Sequence, residues 1–177
     1  KDIANYIVAD GKGILAADES TGTIEKRFKS IGVESTEENR RKYREMLFRA
    51  PAMSKAIGGV ILFDETIKQA SNDGKPLREI ILEKGSLPGI KVDQGLIDFK
   101  TDNGEKLTQG LEGLDDRCRE YASIGAKFTK WRAVINIDKH IPSQDCIEAN
   151  MNALAKYAYI AQKNGMVPIV EPEVIMD

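Results

Sequence analysis

Residues 126–137 read Ala-Lys-Phe-Thr-Lys-Trp-Arg-Ala-Val-Ile-Asn-Ile, and residues 166–173 read Met-Val-Pro-Ile-Val-Glu-Pro-Glu. Each is a short apolar run of strand length. Between them Ser143 offers an N-cap. Ile147, Met151, Leu154, Ala158 and Ala161 then recur at the helical period, and Gly165 supplies a stop. Strand, helix and strand in that order predict a parallel βαβ unit.

The same alternation extends upstream. Gly13–Asp18 is a first strand. Ser35-Thr36-Glu37-Glu38 fits a capping box that opens a helix through about Phe48, closed by Pro51. Gly58–Phe63 is a second strand, Thr66–Ala70 a short helix before the turn Asn72-Asp73-Gly74, and Pro76–Lys84 a helix stopped by Gly85. Gly89–Asp93 is a third strand. Asp98–Gly110 is polar and punctuated by glycine, so it reads as a surface excursion, and Leu111–Ile124 is a helix stopped by Gly125.

Residues 126–137 and 166–171 are then the fourth and fifth strands. No repeat period, low-complexity segment or linker interrupts the chain, which predicts a single partial domain over residues 1–177 with no internal boundary. Two closures stay open at this point. One is a doubly wound, flavodoxin-like sheet complete in five strands. The other is a (β/α)8 TIM barrel, which needs about 250 residues. Five strands in 177 residues is the pace of such a barrel over its first five β/α units. The sequence starts at Lys1 without Met and stops at Asp177, so a longer natural chain is expected.

Composition narrows the function. Lys plus Arg number 26 against 28 Asp plus Glu, a net charge of −2, whereas nucleic-acid binders usually carry a basic balance. The single histidine, His140, excludes a zinc site built on several imidazoles. A Ser-His-Asp arrangement would have to use it, and no G-x-S-x-G elbow accompanies it. It precedes a Pro and reads as a loop residue without a role. Cys118 and Cys146 form no C-x-x-C, and so few cysteines point to the cytoplasm. No apolar run approaches a membrane span, and no basic, then apolar, leader is visible. Gly11-Lys12-Gly13 lacks the Gly-Lys-Ser/Thr of a phosphate loop.

The informative residues are charges at the ends of strands that should be buried on both faces. Side chains alternate along a strand, so Lys91 shares a face with Asp93, Lys130 with Arg132, and Glu171 with Glu173. Asp18 ends the first strand. Any one of these alone fits the solvated rim of a strand end, and Lys130 with Arg132 also fits a buried ion pair. Recurrence on four of five strands favours chemistry, because a parallel barrel opens every strand's C-terminal end on one face. Asp18, Lys91, Lys130, Arg132, Glu171 and Glu173 converging there, three cations and three carboxylates, suit an anionic substrate and proton transfer. Local sequence alone selects Lys130 as a candidate amine nucleophile.

These residues carry a family resemblance. The run from Gly11 to Gly22 (Gly-Lys-Gly-Ile-Leu-Ala-Ala-Asp-Glu-Ser-Thr-Gly) resembles the N-terminal signature of class I fructose-1,6-bisphosphate aldolases. Thr36–Arg41, Gly58–Phe63, Gly89–Asp93, Lys130-Trp131-Arg132 and Ile169–Glu173 follow in that family's order, so the resemblance spans essentially the whole chain. It implies a (β/α)8 barrel and a cytoplasmic homotetramer of glycolysis. It implies reversible cleavage of fructose 1,6-bisphosphate to dihydroxyacetone phosphate and glyceraldehyde 3-phosphate through a lysine imine, with no metal and no cofactor.

By the same resemblance Asp18 would help open the sugar and assist carbon–carbon cleavage. Lys130 would stabilise charge beside the reacting centre rather than form the imine. Glu171 would be the main acid/base, supported by Glu173, and Arg132 would orient substrate. Ser20, Thr23 and Lys91 would surround the C6 phosphate, bordered by Lys26 and Arg27. Thr23 stands where many members have Ser, which keeps the hydroxyl. The family's imine lysine lies on the sixth strand, so it is expected downstream of Asp177. The alternative expectation is an inactive fragment or scaffold form binding a protein partner such as actin, with no nucleic acid and no membrane involved.

Overall fold

A computed structural model describes residues 1–100 and 103–176. Thr101 and Asp102, inside the polar stretch read as a surface excursion, lie outside the described residues, as does Asp177. The chain forms two compact units, residues 1–91 with 125–127 and residues 92–124 with 128–177.

The first unit contains α1 (Asp2–Ile7), β1 (Gly13–Ala17), α2 (Thr21–Ser30), α3 (Glu37–Arg49), α4 (Met53–Ala56), β2 (Ile57–Leu62), α5 (Asp64–Lys68), α6 (Leu77–Glu83) and β3 (Leu87–Lys91). β1 pairs in parallel with β2, and β2 with β3, so that Ala17 sits beside Leu62 and Leu62 beside Ile90. Every residue of β2 after Ile57 is buried, as a strand covered on both faces requires. Ile24, Phe28, Phe48, Ile67, Leu77 and Ile81 supply the helix side of that core. Gly58 admits the backbone of α1. A Cβ built there would stand 2.5 Å from the Ile7 carbonyl oxygen.

Helix α3 forms where the sequence predicts, but it is capped by Thr36 rather than by the Ser35–Glu38 box, and Glu38 pairs with Arg41 instead. The Thr36 hydroxyl accepts the Asn39 N–H at 3.1 Å, and Glu37 and Glu38 occupy the first turn, where the helix dipole favours them. The sequence reading omits α1, α2 and α4. In α2 the opening Thr21-Gly22-Thr23 has weak helix propensity, and the start comes instead from Ser20, whose side chain caps the Thr23 N–H.

The second unit contains β4 (Leu96–Asp98), β5 (Lys106–Thr108), α7 (Leu114–Ser123), β6 (Phe128–Ile135), α8 (Gln144–Lys163) and β7 (Val167–Val174). β6 and β7 run parallel with Lys130 beside Ile169, Arg132 beside Glu171 and Val134 beside Glu173. Ile175, just past β7, donates its N–H to the Ile135 carbonyl. Backbone direction alternates along a strand, so the missing N–H groups of Pro168 and Pro172 fall out of phase with that edge.

An antiparallel hairpin pairs β4, which ends where the stretch read as a surface excursion begins, with β5 inside that stretch, setting Leu96 opposite Thr108 and Asp98 opposite Lys106. Tertiary contacts supply what its sparse apolar content does not. The Thr108 hydroxyl donates to the Arg132 carbonyl at 2.7 Å, and the Asn150 amide donates to the Lys106 carbonyl at 2.9 Å. The helix after Ser143 forms, with the Ser143 hydroxyl accepting the Cys146 N–H at 3.2 Å. Its buried face is Cys146, Asn150, Ala153, Leu154, Tyr157 and Ala161. Met151, read as a core position, is 37% exposed. Leu154 and Ala161 of the predicted stripe are buried, and counting apolar residues alone missed Asn150 and Tyr157, which join that face through hydrogen bonds.

Candidate active site

In the first unit the parallel register aligns strand ends. Asp18 directly follows β1, and Lys91 is the last residue of β3. Two strand spacings separate them, roughly 10 Å between backbones. Asp18 is buried at 8% exposure, and Lys91 is half-buried. Beside Asp18 stands the N-terminus of α2. Ser20 caps it, the Ser20 and Thr23 hydroxyls lie 3.1 Å apart, and no acidic residue occupies the first turn. The first-turn N–H groups and two hydroxyls at a helix N-terminus suit an anion such as a phosphate.

Glu19 would oppose an anion there, but the fold neutralises it. Its carboxylate pairs with Arg27, and its other oxygen accepts from Arg44 at 2.9 Å. Arg27, expected beside a phosphate, thus spends its guanidinium on Glu19 in this structure. Lys26 is exposed on α2. Arg44 is 3% exposed. Burial pulls its basicity below the ordinary value, opposed by the charges of Glu19 and Asp18. Sequence reasoning passed over Arg44. The signal available was an arginine at helical spacing from Arg40 and Arg41 in a segment already marked by its cap.

The second unit brings together four of the expected residues. Lys130 Nζ lies 3.3 Å from Glu171 Oε2, with the two side chains only 13% and 32% exposed. Arg132 Nε donates to the Glu173 carboxylate, which raises the Arg132 pKa and holds the Glu173 carboxyl below its ordinary range. Along the adjacent strands each cation reaches a carboxylate further toward the strand ends, giving two staggered pairs of opposite charge. Asp93 accepts the Arg132 backbone N–H at 3.4 Å and the Gly95 N–H at 3.3 Å. The Val92 N–H donates to the Lys130 carbonyl at 3.0 Å.

Trp131 packs into the core on the face of β6 opposite Lys130. It is fully buried and stacks on Tyr157 with ring centroids 5.4 Å apart. The Tyr157 hydroxyl in turn bonds Thr129 at 2.8 Å and the Ile169 carbonyl at 3.1 Å. These contacts fix the backbone of β6 and β7 from behind the charged pairs.

An ammonium already engaged by a carboxylate is placed to lend positive charge. An amine nucleophile would have to give up that pair, so the geometry argues against the choice of Lys130 from local sequence. His140 is exposed and adjoins a cavity of about 270 Å³ with Asn103 and Ile141. A second cavity of about 410 Å³ lies by Gln94 and Leu107. Neither is lined by a residue expected in the site. Among the described residues no cluster of three or more His, Cys, Asp or Glu is placed to hold a metal ion, and no helix is long and apolar enough to cross a membrane.

Comparison with known proteins defines first the fold. A solved fructose-bisphosphate aldolase from Plasmodium falciparum, in complex with TRAP and a small-molecule inhibitor, superposes with a TM-score of 0.95 at 47% identity. The match covers 98% of this chain and 51% of that one. The fold is therefore a (β/α)8 TIM barrel, of which this chain carries about the first five β/α units.

The family follows. The family model described as fructose-bisphosphate aldolase class-I matches residues 1–177. A probable class 1 fructose-bisphosphate aldolase of Xanthomonas campestris is 56% identical over 176 residues, 99% of this chain and 53% of that protein. The cytosolic fructose-bisphosphate aldolase 5 of Arabidopsis thaliana is 56% identical over 174 residues, 98% of this chain and 49% of its own length. The chain belongs to the class I fructose-bisphosphate aldolase family. It spans about half the length of the curated relatives it matches.

Proposed function

We propose that these residues serve a cytoplasmic class I aldolase that cleaves fructose 1,6-bisphosphate to dihydroxyacetone phosphate and glyceraldehyde 3-phosphate, and that the imine-forming lysine lies outside the 177 residues. The observation that carries this reading is the pair of ion pairs, Lys130 with Glu171 and Arg132 with Glu173, formed across β6 and β7 from within the strands rather than at their ends. A barrel performs chemistry toward the C-terminal ends of its strands, and Arg132, Glu171 and Glu173 lie in the C-terminal halves of β6 and β7.

The steps then divide among named groups. The lysine amine attacks the C2 ketone, and Glu171 supplies the proton with which the hydroxyl leaves as water. Lys130 stabilises the charge on the departing oxygen. The C3–C4 bond breaks, and its electron pair moves into the cationic imine to give an enamine. The C4 hydroxyl loses its proton to a carboxylate, Asp18 in this reading, and becomes the aldehyde. Protonation at C3 and hydrolysis return the amine and release the second triose phosphate. Glu173 supports the acid/base work, and its contact with Arg132 keeps it charged while Arg132 orients substrate. Ser20, Thr23 and Lys91 hold the C6 phosphate, Ser20 and Thr23 through the start of α2. Lys26 and Arg27 border it.

The test uses the natural full chain that carries this sequence. Borohydride with dihydroxyacetone phosphate should give a covalent adduct by intact mass. Glu171→Gln should slow its single-turnover formation more than it weakens binding. No adduct on an active, folded wild type, or wild-type trapping rates in the variant, would refute the assignment. A second reading has support from the solved relative in complex with TRAP. The chain would then also bind protein partners, actin among those the family resemblance implies. The same resemblance implies a homotetramer, which sedimentation of the full chain would test.

A further inference from the structure

We propose that Arg44 is a positioning residue for Asp18 and the turn that follows it, acting from α3 and never touching substrate. This inference rests on the aldolase reading and extends it to a residue outside the expected site.

The geometry is a three-way clamp. Arg44 Nη1 donates to the Thr66 hydroxyl on α5 at 2.9 Å. Its Nη2 donates to the backbone carbonyl of Glu19 at 3.0 Å and to the Glu19 carboxylate at 2.9 Å. Glu19 is the residue directly between Asp18 and the α2 cap Ser20. One guanidinium therefore holds both the main chain and the side chain of the residue joining a proposed acid/base to a proposed phosphate site. Arg27 completes the hold on the same carboxylate.

The clamp lies in the core rather than on the rim. Arg44 is 3% exposed, Thr66 1% and Asp18 8%. A buried cation is expensive unless paired and hydrogen-bonded, and here Nε has no partner. Packing alone would be served as well by an apolar side chain of similar size. A planar fork that spans three acceptors, two on the turn residue Glu19 and one on α5, suits the fixing of a turn, and a lysine cannot span them. A turn held to a fraction of an ångström matters most for a proton transfer, where misplacement by about 1 Å can lower the rate about a hundredfold.

The experiment compares wild type, Arg44→Lys and Thr66→Val in the natural full chain, each confirmed as folded by circular dichroism. Arg44→Lys keeps the charge and loses the fork. It should lower kcat for fructose 1,6-bisphosphate cleavage at least about tenfold with KM within about threefold. The borohydride-trapped adduct with dihydroxyacetone phosphate should still form at the wild-type extent, because that half-reaction does not need Asp18. Thr66→Val removes one prong and should show the same split, weaker. Unchanged kcat in Arg44→Lys would overturn the inference. So would loss of adduct in proportion to cleavage, the mark of general damage to the fold. A wild type that neither cleaves nor traps would instead remove the aldolase reading, a separate outcome visible before any variant is compared.

Discussion

Replacing Tyr157 by Phe should destabilise the protein by about 2 kcal/mol while leaving its fold intact. The side chain is fully buried, so the lost hydroxyl cannot be replaced by solvent. It makes two bonds, 2.8 Å to the Thr129 hydroxyl and 3.1 Å to the Ile169 carbonyl. Its one proton goes to Ile169, so Thr129 must donate to it. The Tyr157→Phe change would strand the Thr129 hydroxyl and deprive the Ile169 carbonyl of a donor. Leaving a buried polar group unpaired costs about 1–3 kcal/mol. The stacking on Trp131 survives, because the ring remains.

The expected fall in Tm is roughly 4–8 °C, at about 2–4 °C per kcal/mol for a chain of this size. Thr129→Val with Tyr157→Phe removes both hydroxyls and should cost less than the sum of the single changes. The coupling should fall between about 0.5 and 3 kcal/mol. A pH signature accompanies it. Burial raises the Tyr157 pKa above its ordinary value, so the folded chain keeps a proton that the unfolded chain releases. That stability is intact below about pH 10 and falls as pH rises further, and Tyr157→Phe should lack this alkaline loss. The assay is thermal and denaturant unfolding of wild type, both single variants and the double variant. Equal stability of wild type and Tyr157→Phe, or strictly additive changes, would refute the reasoning.

Other expectations rest on single contacts. Gly58→Ala should lower stability by about 1–3 kcal/mol, read as Tm, because its Cβ would meet the Ile7 backbone at 2.5 Å and the chain must shift. Glu105 accepts the Ser143 N–H and an Asn103 amide hydrogen, contacts that hold its carboxyl below the ordinary range. Its stabilisation is therefore complete above about pH 4.5 and lost as pH falls, and the Tm–pH profile of Glu105→Gln should be flatter between about pH 5 and 3. Lys91→Met in the full chain should raise KM about tenfold or more with little change in kcat, as loss of a charge-assisted phosphate contact predicts. A large kcat loss at constant KM in steady-state kinetics would remove that role.

What the sequence determined by itself is local. Apolar runs bounded by glycine mark the five parallel strands, since a strand covered on both faces needs no polar phase. Thr36 and Ser143 mark helix starts, because a hydroxyl at the cap satisfies an N–H two or three residues away. The charges on these strands were legible for the same reason, as exceptions inside apolar text, although Lys130, Arg132 and Glu171 lie within β6 and β7 rather than at their ends. The resemblance carried by those runs named the family, which the comparisons then showed.

Only the tertiary structure decided what those charges meet. Arg44 finds Glu19 across 25 residues, and Arg132 finds Glu173 across 41. No local pattern encodes such distances. Without its two arginines Glu19 looks hostile to a phosphate at the start of α2, and with them it becomes the anchor of that turn. The hairpin of β4 and β5 was invisible for a related reason. Its strands are three residues each, too short to show a period, and they are stabilised by hydrogen bonds to β6 and α8 rather than by their own apolar faces. Local propensity writes the elements into the sequence, whereas the pairing of buried charges depends on which elements the fold brings side by side.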